Sequence, residues 1–176
     1  MDRATVDHLL TTTRSVRKRL DFTQPVEPEI MQDCIEIAIQ APTGGNAQGW
    51  HFMVITDAQK RVQIGELYKK SWQLYISERS QPTDGQIRKP EQTRRVVDSA
   101  SYLADHMHEV PVLVIPCVQG RVETLPDRAQ ASLYGSILPA TWSLMLALRS
   151  RGLGSAWTTL HLRYAQEAAA ILGLPT

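Results

Sequence analysis

Cysteine is scarce in this 176-residue chain, with only two residues, and phenylalanine is equally rare. Cys34 and Cys117 lie far apart among apolar neighbours, so the sequence shows neither a disulfide framework nor the spacing of a metal site. Free thiols of this kind usually pack in a protein core and persist in a reducing compartment. We therefore predict a cytoplasmic protein that holds no metal ion.

The chain also lacks an excess of either charge, since it has 19 basic and 18 acidic residues. This balance gives no reason to expect a nucleic-acid or anionic-membrane partner. The N-terminus runs directly into a polar amphipathic segment, which is unlike a secretory signal. The longest apolar stretch, Leu133 to Leu148, contains Gly135 and Pro139 and is short for a membrane span. We expect it to form a buried helix.

Repeats and low-complexity tracts are absent, and the length favours a single domain over residues 1–176. Apolar periodicity and Pro or Gly stops predict helices at 4–13, 27–41, 57–77, 91–108, 127–151 and 163–174. Apolar and β-branched runs predict strands at 51–56, 110–118 and 155–160, the second of them in a central position. Pro139 predicts a kink in its helix, and residues 80–90 are predicted to form a loop.

Small and amide residues fill the loop between the second predicted helix and the first predicted strand. Pro42 stops the helix, and Gly44 and Gly45 allow positive φ angles and a close backbone approach. Asn46 and Gln48 each offer a carbonyl acceptor and two N–H donors, which suits them to a heterocycle edge or a ribityl chain. The simpler alternative is a helix-to-strand turn whose amides are bonded to the backbone.

A basic run, Arg14 to Arg19, follows the first predicted helix. A solvated surface is the ordinary explanation of such a run. Ser15, however, stands close to Arg14 and Arg17, and a bound phosphate needs this combination of charge, bidentate donors and a small hydroxyl donor.

The third informative segment joins the end of the fifth predicted helix to the third predicted strand. Gly152 is expected to end that helix in a left-handed C-cap. The pair Gly152 and Gly154 does not match the dinucleotide fingerprint Gly-x-Gly-x-x-Gly. Thr158 and Thr159 offer hydroxyl donors beyond it, although an ordinary buried strand explains the segment equally simply.

Taken in order, these three segments resemble the motifs of the nitroreductase family of flavin enzymes. The first family motif is Ala-Pro-Ser/Thr-Gly-x-Asn-x-Gln-Pro-Trp-x-Phe. Residues 41–52 of this chain match it except that Gly49 replaces the second proline. The family opens with Arg-Arg-Ser-x-Arg, which residues 13–17 match except that Thr13 replaces the first arginine. It also carries Gly-Leu-Gly-Ser/Thr-x-Trp followed by threonines, which residues 152–159 match.

The resemblance implies an α+β fold with a mixed, mostly antiparallel central sheet flanked by helices. A Ser-Ile-Leu-Pro-Ala segment like that of residues 136–140 lies in the family's long central helix, which implies a homodimer built on this helix. The family's chains normally continue into a further strand and an arm that wraps the partner subunit. No such arm follows Leu174 in this sequence, which leaves two alternatives: a short variant of the family, or a sequence that lacks its tail.

By the same resemblance the cofactor is FMN. Arg14 and Ser15 would hold its phosphate and ribityl end, and Arg17 would lie near the pyrimidine edge, where a cation stabilises reduced flavin. Thr158, Thr159 and the N–H of Leu160 would be the donors beside flavin N5, the atom that accepts and passes hydride. The full set of predicted cofactor contacts is Arg14, Ser15, Arg17, Pro42, Thr43, Gly44, Asn46, Gln48, Trp157, Thr158, Thr159 and Leu160.

The implied function is an oxidoreductase that passes electrons from NAD(P)H to a nitroaromatic or quinone by a ping-pong mechanism. No side chain need act as acid or base, and Ser15, His51 and His161 lack the neighbours of a nucleophilic site. One alternative is a flavin-binding or storage protein without turnover. Another is a family variant that acts as a dehalogenase, a ring dehydrogenase or a flavin-fragmenting enzyme. Substrate choice is expected to depend on residues 72–90.

Overall fold

The computed structural model describes residues 2–79 and 90–175. These residues form six helices, which are α1 Arg3–Thr12, α2 Pro28–Ala38, α3 Ala58–Arg79, α4 Pro90–His106, α5 Asp127–Ser150 and α6 Ala165–Leu172. The two strands among them are β1 Trp50–Ile55 and β2 Leu113–Val118. Short 3₁₀ turns occur at Gly44–Asn46, Met107–Glu109 and Leu160–Tyr164. Most of the loop predicted at 80–90 lies outside the described residues.

Two compact units divide the chain. The α5 unit consists of Met1–Ser15, Pro25–Val54 and Leu113–Ser155, and in it α1, α2 and β2 pack against α5. The α3 unit consists of Val16–Gln24, Ile55–Val112 and Ala156–Thr176. Its centre is α3, which packs against α4, α6 and the 3₁₀ turns at Met107–Glu109 and Leu160–Tyr164.

Two helix ends confirm their sequence signals. Asp57 caps α3, because its Oδ1 accepts the Lys60 backbone N–H at 2.8 Å. Gly152 follows α5 with φ 79°, and the N–H groups of Gly152 and Leu153 donate to the carbonyls of Arg149 and Leu148 at 3.1 and 3.0 Å. This pair of bonds is a Schellman motif, which needs a left-handed residue at the glycine position.

The sheet confirms the predicted fold class but is small. It is an antiparallel pair of β1 and β2, extended at one end by the Gln119 N–H, which donates to the Gly49 carbonyl at 2.8 Å. The prediction of a central position for β2 is wrong within the described residues, because β2 pairs with β1 alone and is half-buried along its length. Pro116 fits this edge position, since a proline has no N–H to give to a second neighbour.

The strand predicted at Ser155–Leu160 is also wrong. The backbone is irregular up to Thr159 and then enters the 3₁₀ turn at Leu160–Tyr164, which precedes α6. A strand exists only where a neighbouring strand accepts its N–H groups, and the described residues place no such neighbour beside this segment. Local composition cannot reveal that.

The long helix α5 has two different faces. Its inner face is buried and includes Ile137, Leu144 and Leu148, which confirms part of the expected burial. Its outer face exposes Tyr134, Leu138 and Trp142 by 48, 45 and 39%. By length and composition α5 is the one described helix that could cross a membrane, with less than half of its most apolar stretch buried. Pro139 lies within the continuous helix.

Candidate functional site

The loop that follows α2 is built from left-handed backbone. Gly45, Asn46 and Gln48 have φ angles of 58°, 54° and 51°. Gly44 is not left-handed, and its missing side chain matters for a different reason, because a Cβ there would clash with Ser132 Oγ on α5. The Gly44 N–H donates to Ser136 Oγ at 2.9 Å, which fastens the loop to α5.

Two side-chain amides meet at the tip of this loop. Gln48 Nε2 donates to Asn46 Oδ1 at 2.9 Å, and the Gln48 backbone N–H donates to Thr43 Oγ1 at 3.1 Å. Left-handed backbone costs a non-glycine residue about 1–2 kcal/mol. Two such residues within three positions therefore indicate that the loop is held in a particular geometry. Both amides are exposed and retain donor and acceptor capacity beyond this bond. The loop tip thus carries an exposed, internally bonded amide pair.

Gly49 explains how Gln48 can be left-handed. A proline restricts the residue before it to extended backbone. With glycine at position 49 that restriction is absent, and Gln48 takes φ 51°. Gly49 has room for a larger residue, since a Cβ there would lie 3.5 Å from Gln119 Cβ, an ordinary contact.

A cavity of about 250 Å³ lies beneath the loop within the α5 unit. Its walls include Gly44 and Trp50 from the loop and β1, Gln119 after β2, and Ser132 and Ser136 from α5. The indole Nε1 of Trp50 is buried and has no hydrogen-bond partner among the described residues.

At the end of α1, Thr13 has a structural role. It is buried, and its Oγ1 donates to the Leu9 carbonyl at 2.6 Å, which satisfies a carbonyl of the last helical turn. Its hydroxyl is therefore not available for a phosphate. The neighbouring Arg14 and Ser15 are exposed, and Arg14 Nη1 donates to the Thr13 carbonyl at 2.7 Å. The phosphate function predicted for this segment remains with Arg14 and Ser15.

Arg17 belongs to the α3 unit and is half-buried. Its Nε is buried and has no partner among the described residues, which is costly for a cation unless a ligand supplies an acceptor. Tyr68 of α3 is buried, and this burial raises the pKa of its phenol, an effect that the charge of Arg17 partly offsets. Phe22, five residues after Arg17, stacks on Tyr102 of α4 with ring centroids 6.4 Å apart.

Trp157, Thr158, Thr159 and Leu160 also lie in the α3 unit. Trp157 and Thr159 are exposed and Thr158 is half-buried, so the segment borders solvent. The Thr159 carbonyl accepts the Leu162 N–H at 3.0 Å and opens the 3₁₀ turn. Burial lowers the pKa of His161, the residue after Leu160, so its imidazole is neutral at pH 7.

The predicted site residues divide between the two units. Arg14, Ser15 and the loop at 42–48 belong to the α5 unit, whereas Arg17 and residues 157–160 belong to the α3 unit. Sequence reasoning missed Ser136, whose signal was its place in the Ser-Ile-Leu-Pro-Ala segment. The described residues contain no cluster of His, Cys, Asp and Glu suited to a metal ion.

Residues 10–176 match the model of the nitroreductase family. The chain belongs to the nitroreductase family. The match includes the basic segment, the amide loop and the threonine segment, so all three motifs fall within it.

Relatives of the chain include iodotyrosine deiodinase 1 of Rattus norvegicus, which is 24% identical over 174 residues. The alignment covers 96% of this chain and 56% of the rat protein, so the chain spans about half the length of that curated relative. A solved iodotyrosine deiodinase bound to FMN and 3-iodo-L-tyrosine has a TM-score of 0.71 at 22% identity, covering 96% of this chain and 80% of that one.

The FMN-dependent nitroreductase NfnB from Mycobacterium smegmatis, solved in complex with NADPH, has a similar fold. It superposes with a TM-score of 0.69 at 23% identity, covering 99% of this chain and 83% of the other. At these identities the two structures establish the nitroreductase-like fold of this chain.

Proposed function

We propose that this nitroreductase-family protein binds FMN and passes electrons from NAD(P)H to an electron-poor aromatic or quinone-like acceptor. Membership of the family supports this activity, as do relatives described as FMN-dependent and as complexed with NADPH. The observation that carries it is the exposed amide pair of Asn46 and Gln48, held in left-handed backbone. Such geometry is expected where a loop must meet a ligand.

The residues present fit FMN chemically. Arg14 and Ser15 supply a guanidinium and a hydroxyl for a phosphate, and the buried Arg17 Nε has a donor to give to an anionic ring edge. The hydroxyls of Thr158 and Thr159 supply donors for a ring nitrogen. When bound, FMN supplies the hydride-accepting centre that these side chains lack.

The proposed reaction order is ping-pong, in which oxidised nicotinamide leaves before the acceptor binds. Within this scheme the protein binds and orients its substrates and stabilises negative charge through Arg17. Protons come from solvent, because no side chain of the predicted site is placed as an acid or base. We propose a cytoplasmic location and a single functional domain for this chain.

A second candidate is reductive dehalogenation of an aromatic substrate. The observation in its favour is the similarity to iodotyrosine deiodinases in both sequence and fold. Both candidates require FMN and differ in the acceptor. A storage protein, the third alternative, would bind FMN without turnover.

We also propose a homodimer formed through α5. Tyr134, Leu138 and Trp142 are four residues apart and therefore share one helix face, and all three are exposed. An exposed apolar stripe on a long helix is typical of a protein interface. A second copy of the same face would cover it.

The test is anaerobic reduction of the FMN-loaded protein. NADH or NADPH should bleach the visible flavin absorbance, and a nitroaromatic or quinone should restore it. Recovery with an iodinated tyrosine alone would favour the dehalogenase. Bound FMN that neither nicotinamide bleaches would contradict the proposed activity and favour storage.

Matched variants locate the cofactor in this test. Arg17→Ala should lose most FMN affinity, because Arg17 carries the buried guanidinium nitrogen. Arg19→Ala should retain it, since Arg19 lies exposed in the same basic run. Equal affinities in the two variants would remove Arg17 from the site.

A further inference from the structure

An ion pair between distant segments fastens the 3₁₀ turn at Leu160–Tyr164 to α3. Arg163 Nη1 and Nη2 donate to Glu78 Oε1 and Oε2 at 2.8 and 2.9 Å. This is the bidentate geometry in which a guanidinium and a carboxylate hold each other's orientation as well as position. The bond lowers the pKa of Glu78 and raises that of Arg163.

A second contact fixes the other side of the same turn. The Lys70 ammonium lies over the ring of Tyr164, 4.4 Å from its centroid, which is a cation–π distance. Lys70 and Glu78 are eight residues apart, or about 12 Å along α3. The turn is therefore attached to α3 at two separate points.

The helix that carries these contacts is itself well anchored. Arg61, near the start of α3, donates to the His108 and Val110 carbonyls at 3.0 and 2.5 Å. Trp72 Nε1 donates to Ser101 Oγ on α4 at 3.1 Å. These anchors lie at Arg61 and Trp72, and Glu78 follows them in the last turn of the same helix.

The restrained turn begins on the segment predicted to contact the flavin. The Thr159 carbonyl accepts the first bond of the turn, and Thr158 precedes it directly. The 153–159 backbone is irregular and belongs to no sheet of the described residues, so no ladder fixes these two threonines. The turn that follows them is therefore one of the restraints on this segment.

We propose that the Glu78–Arg163 ion pair positions Thr158 and Thr159 for the cofactor, which makes Glu78 and Arg163 positioning residues. This inference rests on the proposed FMN-dependent function and names residues that neither the family motifs nor the sequence indicated. Neither side chain needs to touch FMN. The pair acts by limiting the movement of a short segment whose hydroxyls must meet a ring nitrogen.

A matched control exists on the same helix. Lys69 of α3 pairs with Asp105 of α4 at 3.0 Å, and the exposures of these side chains, 39 and 56%, match those of Arg163 and Glu78, 38 and 55%. Exposed pairs of this kind contribute little to global stability. Glu78→Ala and Asp105→Ala should therefore have similar melting temperatures. They should differ in the segment that is released, which is the Leu160–Tyr164 turn in the first variant and α4 in the second.

The first measurement uses the protein without cofactor. Amide hydrogen exchange in residues 158–164 should become about two- to fivefold faster in Glu78→Ala and remain unchanged in Asp105→Ala. The double variant Glu78→Arg/Arg163→Glu reverses the pair and should restore the native exchange rate. Equal exchange in the native protein and Glu78→Ala would overturn the inference.

The second measurement uses the FMN-loaded protein. Glu78→Ala should bind FMN about two- to fivefold more weakly and shift the visible absorption of the bound flavin, with recovery in the reversed pair. A shift of equal size in Asp105→Ala, or no recovery in the reversed pair, would overturn the positioning role. A native protein that binds no FMN would overturn the proposed function. The exchange experiment would still test whether the Glu78–Arg163 pair restrains residues 158–164.

Discussion

The side chains of Gln48 and Asn46 are hydrogen-bonded to each other at 2.9 Å although both residues lie in left-handed backbone. Asparagine adopts this conformation more readily than glutamine, and together the two residues define the shape of the loop tip. The bond between them lowers the cost of that shape and fixes the direction of both amides. Both side chains are exposed and keep donor and acceptor groups beyond this bond.

Substitutions of Asn46 separate the backbone from the amide. Asn46→Gly keeps the left-handed conformation at no steric cost and removes the amide, so it should leave the melting temperature nearly unchanged. Asn46→Ala should cost about 1 kcal/mol of stability, because alanine is strained at φ 54°. Both variants should weaken FMN binding roughly three- to tenfold, measured by fluorescence titration. Native affinity in Asn46→Gly would show that the amide is not a contact.

Proline at position 49 should reshape the loop. Gly49→Pro restores the residue that the family usually carries and pushes Gln48 toward extended backbone, which breaks its bond to Asn46. The Gly49 carbonyl remains able to accept from Gln119, so the sheet should persist. We expect a native far-ultraviolet circular dichroism spectrum and an altered FMN affinity. Gly49→Ala, which imposes no such restriction, is the control and should bind FMN as the native protein does.

His161 should make stability depend on pH. Burial holds its folded-state pKa below the ordinary value of 6.5, so the unfolded chain takes up the proton first as the pH falls. The contribution is therefore complete above pH 6.5 and is lost as the pH falls through the folded pKa. Urea unfolding between pH 8 and about 5 should show this decline. His161→Gln should flatten it, whereas His8→Gln, on the exposed face of α1, should retain it.

The outer face of α5 should govern association. Trp142→Glu places a charge on the exposed apolar stripe and should convert a dimer into monomers, as measured by sedimentation velocity. Leu125→Glu changes an exposed leucine just before α5 and is the matched control for a new surface charge. A native protein that sediments as a monomer at micromolar concentration would contradict the homodimer.

Elements set by local chemistry could be predicted from the sequence. The helices followed from apolar periodicity, and the Asp57 cap and the Gly152 end followed from the few residues that favour such positions. The amide loop was recognised as a candidate ligand site, but its left-handed residues were expected to be Gly44 and Gly45. In the structure they are Gly45, Asn46 and Gln48. The departure from proline at position 49 accounts for Gln48 alone, because a proline restricts only the residue before it.

Features set by distant partners could not be predicted. Residues 155–160 have the composition of a strand, yet a strand requires a second backbone beside it, and composition does not report one. Glu78 and Arg163 are 85 positions apart, and each looks like an ordinary surface charge in its own segment. Thr13 replaces the first arginine of the family's basic motif, and only its bond to the Leu9 carbonyl shows that its hydroxyl is already used.

The two-sided character of α5 has a consequence for handling this protein. One face of the helix packs in the interior of its unit, while Tyr134, Leu138 and Trp142 are exposed to solvent in a monomer. If two copies bury this surface together, dilution dissociates them and destabilises the fold. The melting temperature then rises with protein concentration. Comparisons between variants then require equal molar amounts, because a scarce sample would look fragile for reasons unrelated to its substitution.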